Sequence, residues 1–158
     1  MNILLVVESK HLGNTLKIAQ SMAEVVPVTI VDTKKAKELD MKDYDIVGFG
    51  SGIYAAKHDK RILKFAQDLS VNEAYTFVIS TSGGEDYDDN NKALIYILKK
   101  KNKTILGVFS CKALDKFFVL RFTGGINKGL PNENDYKNAQ DFIQNVIEDY
   151  KNTICKSN

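Results

Sequence analysis

Ser9, Lys10, His11, Leu12, Gly13, Asn14 and Thr15 join an apolar run at residues 3–7 to an amphipathic pattern that begins at Thr15. A turn of this make-up suits an anion such as phosphate. The first N–H groups of a helix have no partner within it, and the helix dipole places partial positive charge there. Gly13 lets the backbone come close, Ser9, Asn14 and Thr15 carry side-chain donors, and Lys10 adds a full positive charge. At about 5 Å and an effective dielectric near 20, that charge attracts each unit of phosphate charge by roughly 3 kcal/mol before desolvation and screening. The same residues also suit a capped helix start, since Ser and Asn are common caps and Gly a common turn residue. Spacing alone leaves both readings open.

Two further clusters have chemistry in reach. Gly50, Ser51, Gly52, Ile53, Tyr54, Ala55, Ala56, Lys57 and His58 present two glycines and then an aromatic ring. Such a ring either stacks on a heteroaromatic plane, for about 0.5–1.5 kcal/mol beyond area burial, or lies on the protein's own surface. Ser80, Thr81, Ser82, Gly83 and Gly84 supply backbone N–H groups able to meet ligand carbonyls, and Tyr87 follows. His58 reads as a solvated residue at a helix start, with a proton donor beside a bound ring as the alternative. His11 reads similarly, with phosphate charge balance as its alternative. Cys111 and Cys155 are too far apart in sequence to suggest a metal site or a disulfide framework, and Cys111 reads as packed and unreactive. No catalytic constellation and no metal site is expected.

The elements that must position these clusters follow from periodicity. Residues 3–7, 28–31, 45–50, 75–80 and 104–109 are apolar, β-rich runs. Between and after them, helical spacing recurs at Thr15, Ile18, Ala19, Met22, Ala23 and Val26; at Ile62, Phe65, Ala66 and Leu69; at Leu94, Ile97 and Leu98; and at Ala139, Phe142, Ile143, Val146 and Tyr150. Residues 33–41 suit a short helix or a loop. Alternating strands and helices, with near-continuous apolar strands, predict a parallel sheet covered on both faces. Ligands of such sheets sit beyond the carboxyl ends of the strands, where the winding reverses. The loops there are residues 9–15, 51–58, 81–90 and 110–131, the last carrying Phe117, Phe118 and Phe122 as a further strand or a lid.

At 158 residues the chain is expected to be one domain, residues 1–158. A net charge of +2 is too small to argue for nucleic acid. No run approaches the length of a membrane span, so a cytoplasmic protein is expected. Lys99, Lys100, Lys101 and Lys103 read as a solvated cluster at a helix C-terminus.

Gly13-Asn14-Thr15 after a strand, Gly-Ser-Gly-Ile-Tyr-Ala from Gly50 followed by Lys57, His58, Asp59, Lys60 and Arg61, Ser-Thr-Ser-Gly-Gly from Ser80, and Gly-Gly-Ile-Asn-Lys-Gly from Gly124 together resemble the flavodoxin family. The likeness spans nearly the whole chain and is to short bacterial and archaeal flavodoxin-domain proteins. There is some similarity to the flavodoxin-type protoporphyrinogen oxidases around Tyr54 and His58. The resemblance implies a doubly wound α/β fold with a five-stranded parallel sheet in the order 2-1-3-4-5, helices on both faces, and noncovalent FMN at the strand ends. By position, Ser9, Lys10, His11, Leu12, Gly13, Asn14 and Thr15 would hold the phosphate. Ser51, Gly52, Ile53, Tyr54, Ala55 and Ala56 would line the ring, with Tyr54 stacking on it. Thr81, Ser82, Gly83 and Gly84 would meet its pyrimidine edge, and Tyr87 would be a second ring contact.

The implied function is electron transfer between a reductase and an acceptor protein, by a monomer or weak dimer. The alternatives are an FMN-dependent oxidoreductase acting on a quinone or porphyrinogen, and a flavin-free interaction domain. The chain departs from the family pattern at three places. Lys10 and Leu12 stand where flavodoxins carry hydroxyl residues, and Ser9 lies one position further from Gly13. The slightly basic balance differs from the usual acidity, which steers flavodoxins to basic partners. Ala55 and Ala56 follow Tyr54 where glycine would ease a left-handed backbone, at a cost of roughly 1–2 kcal/mol; this implies a smaller separation of the two one-electron flavin potentials.

Overall fold

The computed structural model describes residues 1–10, 12–84, 86–113 and 129–156. Five parallel strands form the sheet: β1 (Ile3–Glu8), β2 (Thr29–Val31), β3 (Ile46–Tyr54), β5 (Ala74–Ser82) and β6 (Lys103–Lys112). They lie in the order β2-β1-β3-β5-β6, and a short strand β4 (Lys57–His58) folds back antiparallel on the end of β3. Counting parallel strands alone, this is the expected order 2-1-3-4-5. The hairpin strand β4 is an addition the sequence did not announce, because two residues are too few for a period to show.

Among the described residues, five α-helices cover the sheet: α1 (Asn14–Ala23), α2 (Thr33–Ala36), α3 (Lys60–Asp68), α4 (Tyr87–Lys100) and α5 (Glu133–Lys156). All six residues of β1 are buried, as a strand covered on both faces requires. Alternate residues serve opposite layers. Ile3, Leu5 and Val7 pack with Ile18, Ala19 and Met22 of α1 and Ala139, Ile143 and Val146 of α5. Leu4 and Val6 pack with Ala36 of α2, Ile62, Phe65 and Ala66 of α3, and Leu94 and Leu98 of α4. Fully burying each such side chain contributes about 1.5–3 kcal/mol, so the two layers fix where each strand ends.

Capping sets the helix starts. Asp32 accepts the Lys35 N–H at 2.8 Å at the head of α2, and Asp59 accepts the Arg61 N–H at 2.9 Å at the head of α3. The lysine cluster after α4 is not uniformly solvated. Lys103 is buried, and its ammonium donates to the Ser70 and Asn72 carbonyls at 3.2 and 2.9 Å, pinning the loop before β5. Burial lowers its pKa.

Candidate functional site

The chain leaves β1 at Glu8 and turns into α1 with Gly13 as the N-cap, at φ 70° and ψ 17°. A Cβ there would meet nothing within 4 Å, so glycine is needed for its left-handed backbone and not for space. Gly13 brings no side chain to the helix start, and the first turn of α1 holds no acidic residue. The positive end of the dipole is therefore not neutralised by a local carboxylate. Ser9 Oγ accepts the Leu16 N–H at 3.3 Å, Leu12 is half-buried, and Asn14 opens the helix. Thr15 is buried with its hydroxyl 2.8 Å from that of Thr81, which ties the loop after β1 to the end of β5. His11 lies outside the described residues.

Lys10 reaches across to the hairpin. Its Nζ lies 2.7 Å from Asp59 Oδ2 and 5.5 Å from the centre of the Tyr54 ring.

In that hairpin Ile53 pairs with His58 and Tyr54 with Lys57, so Ala55 and Ala56 form the two-residue turn. Their φ values are 49° and 58°. A two-residue turn with two positive φ values is the type I′ geometry that favours Asn-Gly, and each alanine there costs roughly 1–2 kcal/mol. Ala55 and Ala56 are exposed, while Ile53 and Tyr54 are half-buried. A Cβ on Gly52 would come within 2.8 Å of the Tyr54 hydroxyl oxygen, so the ring folds back along the strand over Gly52.

What holds the strained turn is buried polar bonding. His58 is 3% exposed, which corrects its reading as a solvated residue and removes it as an exposed proton donor. The Asn91 amide nitrogen donates to the Tyr87 carbonyl at 2.6 Å and to Ser110 Oγ at 3.0 Å. Its oxygen therefore faces His58 Nε2 at 2.8 Å, which assigns the ring hydrogen to Nε2. Burial pushes the imidazole pKa down to about 4, against the weaker upward pull of Asn91, so the ring is neutral and Nδ1 accepts from Ser51 Oγ at 2.8 Å. Ser51 is fully buried. Its oxygen also accepts the Asp59 N–H at 2.9 Å, and the Gly52 carbonyl, at 2.9 Å, is a second acceptor for its hydrogen. With the 2.8 Å contact of Ser110 and Ser80, a chain of five side chains runs from the hairpin through α4 to β6 and β5.

Charge gathers at the same place. Glu8 and Asp59 are buried, and Arg61 bridges them, 2.7 Å from Glu8 Oε2 and 3.2 Å from Asp59 Oδ1. Glu8 also accepts the Thr33 N–H at 3.2 Å and the Thr33 hydroxyl. Burial alone would raise the Asp59 carboxyl, but hydrogen bonds from Arg61 and Lys10 outweigh it and hold the pKa at about 2. Two carboxylates thus meet two cations.

In the third loop Thr81 and Ser82 are buried, and the Ser82 hydroxyl donates to the Gly84 carbonyl at 2.6 Å. Gly83 is half-buried, and Gly84 is exposed with open space at its Cβ position. Tyr87 is half-buried at the start of α4. Residues 114–128, with Phe117, Phe118, Phe122, Gly124 and Gly125, lie outside the described residues. Cys111 is buried, and burial pushes its thiol up to about 12.

Three strand-end loops are thus joined directly: Thr15 to Thr81, Lys10 to Asp59 and Tyr54, and His58 through Asn91 to Tyr87. The side chains of Ser51, Thr15 and Thr81 serve this internal bonding, while Gly13, Asn14, Gly83, Tyr54 and Tyr87 are half-buried and Gly84 is exposed. Sequence reasoning gave no role to Glu8, Asp59, Arg61 or Asn91. Asp59 had a signal, an acid directly before a helical pattern, whereas Asn91 had none. A groove of about 820 Å³ lies at the opposite end of the sheet, lined by Ala36, Tyr44, Phe65, Tyr75 and Lys103, away from these loops. Among the described residues no cluster of His, Cys, Asp or Glu is arranged to hold a metal ion, and no helix is long and apolar enough to cross a membrane.

A planar nucleotide fits these groups: the first turn of α1 lacks a competing acid, Gly13 and Gly84 leave room for close approach, and a tyrosine stands between. Comparison with known proteins agrees with the fold. Residues 4–116 match the model of the flavodoxin domain family. An uncharacterized protein of Methanocaldococcus jannaschii is 36% identical over 149 residues, covering 94% of this chain and 99% of its own. Oxidised flavodoxin 2 of Bacillus cereus superposes with a TM-score of 0.69 at 13% identity, over 94% of this chain and 99% of that one. A flavoprotein of Lactobacillus acidophilus, solved in complex with FMN, gives a TM-score of 0.57 at 13% identity, over 77% and 98%. With the family model spanning most of the sequence and a full-length relative at this identity, the chain belongs to the flavodoxin domain family.

Proposed function

We propose that the chain binds FMN noncovalently at the carboxyl ends of β1, β3 and β5 and carries electrons between a reductase and an acceptor protein. The observation that carries this reading is the joining of three loops around Tyr54: a helix start at Gly13 with no acid in its first turn, the Gly52–Tyr54 strand end, and the turn at Gly83 and Gly84. In it, residues 9–15 hold the phosphate mainly through backbone N–H groups, Tyr54 and Tyr87 bracket the ring, and residues 81–84 meet its polar edge. FMN supplies the redox chemistry when bound. The chain's own part is to orient the ring and keep one side of it dry. The solved Lactobacillus flavoprotein, which shares the fold and was obtained with FMN, supports the cofactor. A net charge of only +2 supports partners that dock with weak long-range steering, at rates that vary little with salt. Cofactor extraction from the natively purified protein, with identification by mass, tests the proposal. FMN at close to one per chain supports it; a different nucleotide, or no nucleotide together with no uptake of added FMN, overturns it.

A further inference from the structure

Resting on that reading, we propose that Lys10 is a selectivity residue for the ring end of the site and not for the phosphate: Asp59 holds its ammonium against Tyr54, where it favours an anionic ring ligand over a neutral one.

The loop after β1 would place a lysine within reach of either the helix start or the hairpin. The hairpin wins because of what stands there. Lys10 Nζ is 2.7 Å from Asp59 Oδ2, and the Asp59 side chain has no exposure. Swinging Lys10 away would leave a buried carboxylate short of one of its two cations, a costly arrangement. Asp59 cannot follow, because its Oδ1 caps α3 through the Arg61 N–H at 2.9 Å and its backbone N–H is bonded to Ser51. The Tyr54 ring, 5.5 Å away, adds a cation–π attraction on the same side. At the other end of the loop, the α1 start supplies backbone donors and has no acid to offset, so phosphate binding there does not require the lysine.

The cluster of Lys10, Arg61, Asp59 and Glu8 is neutral in sum but not uniform in depth. The Lys10 side chain is 41% exposed, whereas those of Asp59 and Glu8 are 0% and 6% exposed. A ligand ring approaching Tyr54 from solvent meets the ammonium before the carboxylates. Oxidised flavin has a neutral ring system, and two-electron-reduced flavin readily carries a net negative charge, which an ammonium beside the stacked ring attracts. The position of Lys10 therefore favours the reduced ligand, opposite in sign to the effect of an acidic rim.

The test is equilibrium binding of FMN and of riboflavin, which lacks the phosphate, to the wild type, Lys10→Met and Lys10→Arg, with FMN measured both oxidised and chemically reduced. The expected result is that Lys10→Met changes the FMN-to-riboflavin affinity ratio by less than about twofold. The reduced-to-oxidised FMN affinity ratio falls by about tenfold and is retained in Lys10→Arg, the scale of one partly screened charge. A tenfold or larger loss of FMN over riboflavin preference in Lys10→Met, or an unchanged reduced-to-oxidised ratio, would overturn the inference while leaving flavin binding intact. A wild type that takes up neither flavin would instead overturn the function on which it rests.

Discussion

The turn after β1 and the hairpin after β3 meet at one site and are held by opposite means. Among the described residues of the turn, the ties are a main-chain bond from Gly13 N–H to the Lys10 carbonyl at a long 3.5 Å, the Leu16 N–H to Ser9 Oγ, and the reach of Lys10 to Asp59. The hairpin carries two left-handed alanines and is held down by His58, Ser51 and Asn91 beneath it. Strain of this kind persists only where the surroundings over-determine it. The contrast separates the tasks. On the proposed function, the loop after β1 offers the phosphate backbone groups, and the hairpin sets the place of Tyr54 for the ring.

The largest effect should come from cutting the tie beneath the hairpin. His58→Ala removes a buried ring and leaves Ser51 and Asn91 short of partners, an expected loss of about 3–4 kcal/mol in chemical denaturation. A loss under about 1 kcal/mol would show that the hairpin is held otherwise. The same residue sets a pH window. Its folded pKa is about 4 against an ordinary 6.5. Above 6.5 neither state holds the proton; as pH falls towards 4 only the unfolded chain takes it up, so the folded state loses about 3 kcal/mol. Asp59 acts in a separate window. Held at about 2 against 3.8, its contribution is intact above 3.8 and is lost as pH falls towards 2. Thermal melts of wild type and His58→Asn from about pH 8 to 4 should run parallel above pH 6.5 and differ in slope as pH falls from 6.5 towards 4; parallel curves throughout would mean that His58 is not buried neutral.

The turn after β1 should respond less. Gly13→Ala meets no clash and pays only for its left-handed backbone, about 1–2 kcal/mol of stability. Ala56→Gly should do the reverse, raising stability by about 1 kcal/mol as strain is relieved, read as a higher melting temperature. If Ala56→Gly lowers it instead, the turn is not strained.

The two regions also differ in how far they can be read from residues alone. The five strands and their parallel stacking follow from apolar periodicity, and Gly13 reads as a turn glycine at a strand-to-helix junction, both local signals; the strand order follows only from the resemblance to the flavodoxin family. His58 reads as solvated because Lys57, Asp59 and Lys60 surround it; it is buried because the turn at Ala55 and Ala56 sets it opposite Ile53, and because its partner Asn91 lies 33 positions on. Lys10 sits beside a phosphate-type turn in sequence, but Asp59, which captures it, is supplied by the head of α3. Lys103 belongs to a lysine run, and only packing shows it buried beneath the loop at Ser70 and Asn72. In each case the missing information is a long-range polar partner, which periodicity does not encode.

FMN binding at these loops is tested most directly by titrating flavin-stripped protein with FMN, following quenching of flavin fluorescence in the wild type and in Tyr54→Ala. Saturation at one FMN per chain is the expected result, with affinity weakened about tenfold or more when the ring is removed. Absence of saturable binding, or a Tyr54→Ala curve superimposed on the wild type, would contradict a flavin stacked at Tyr54.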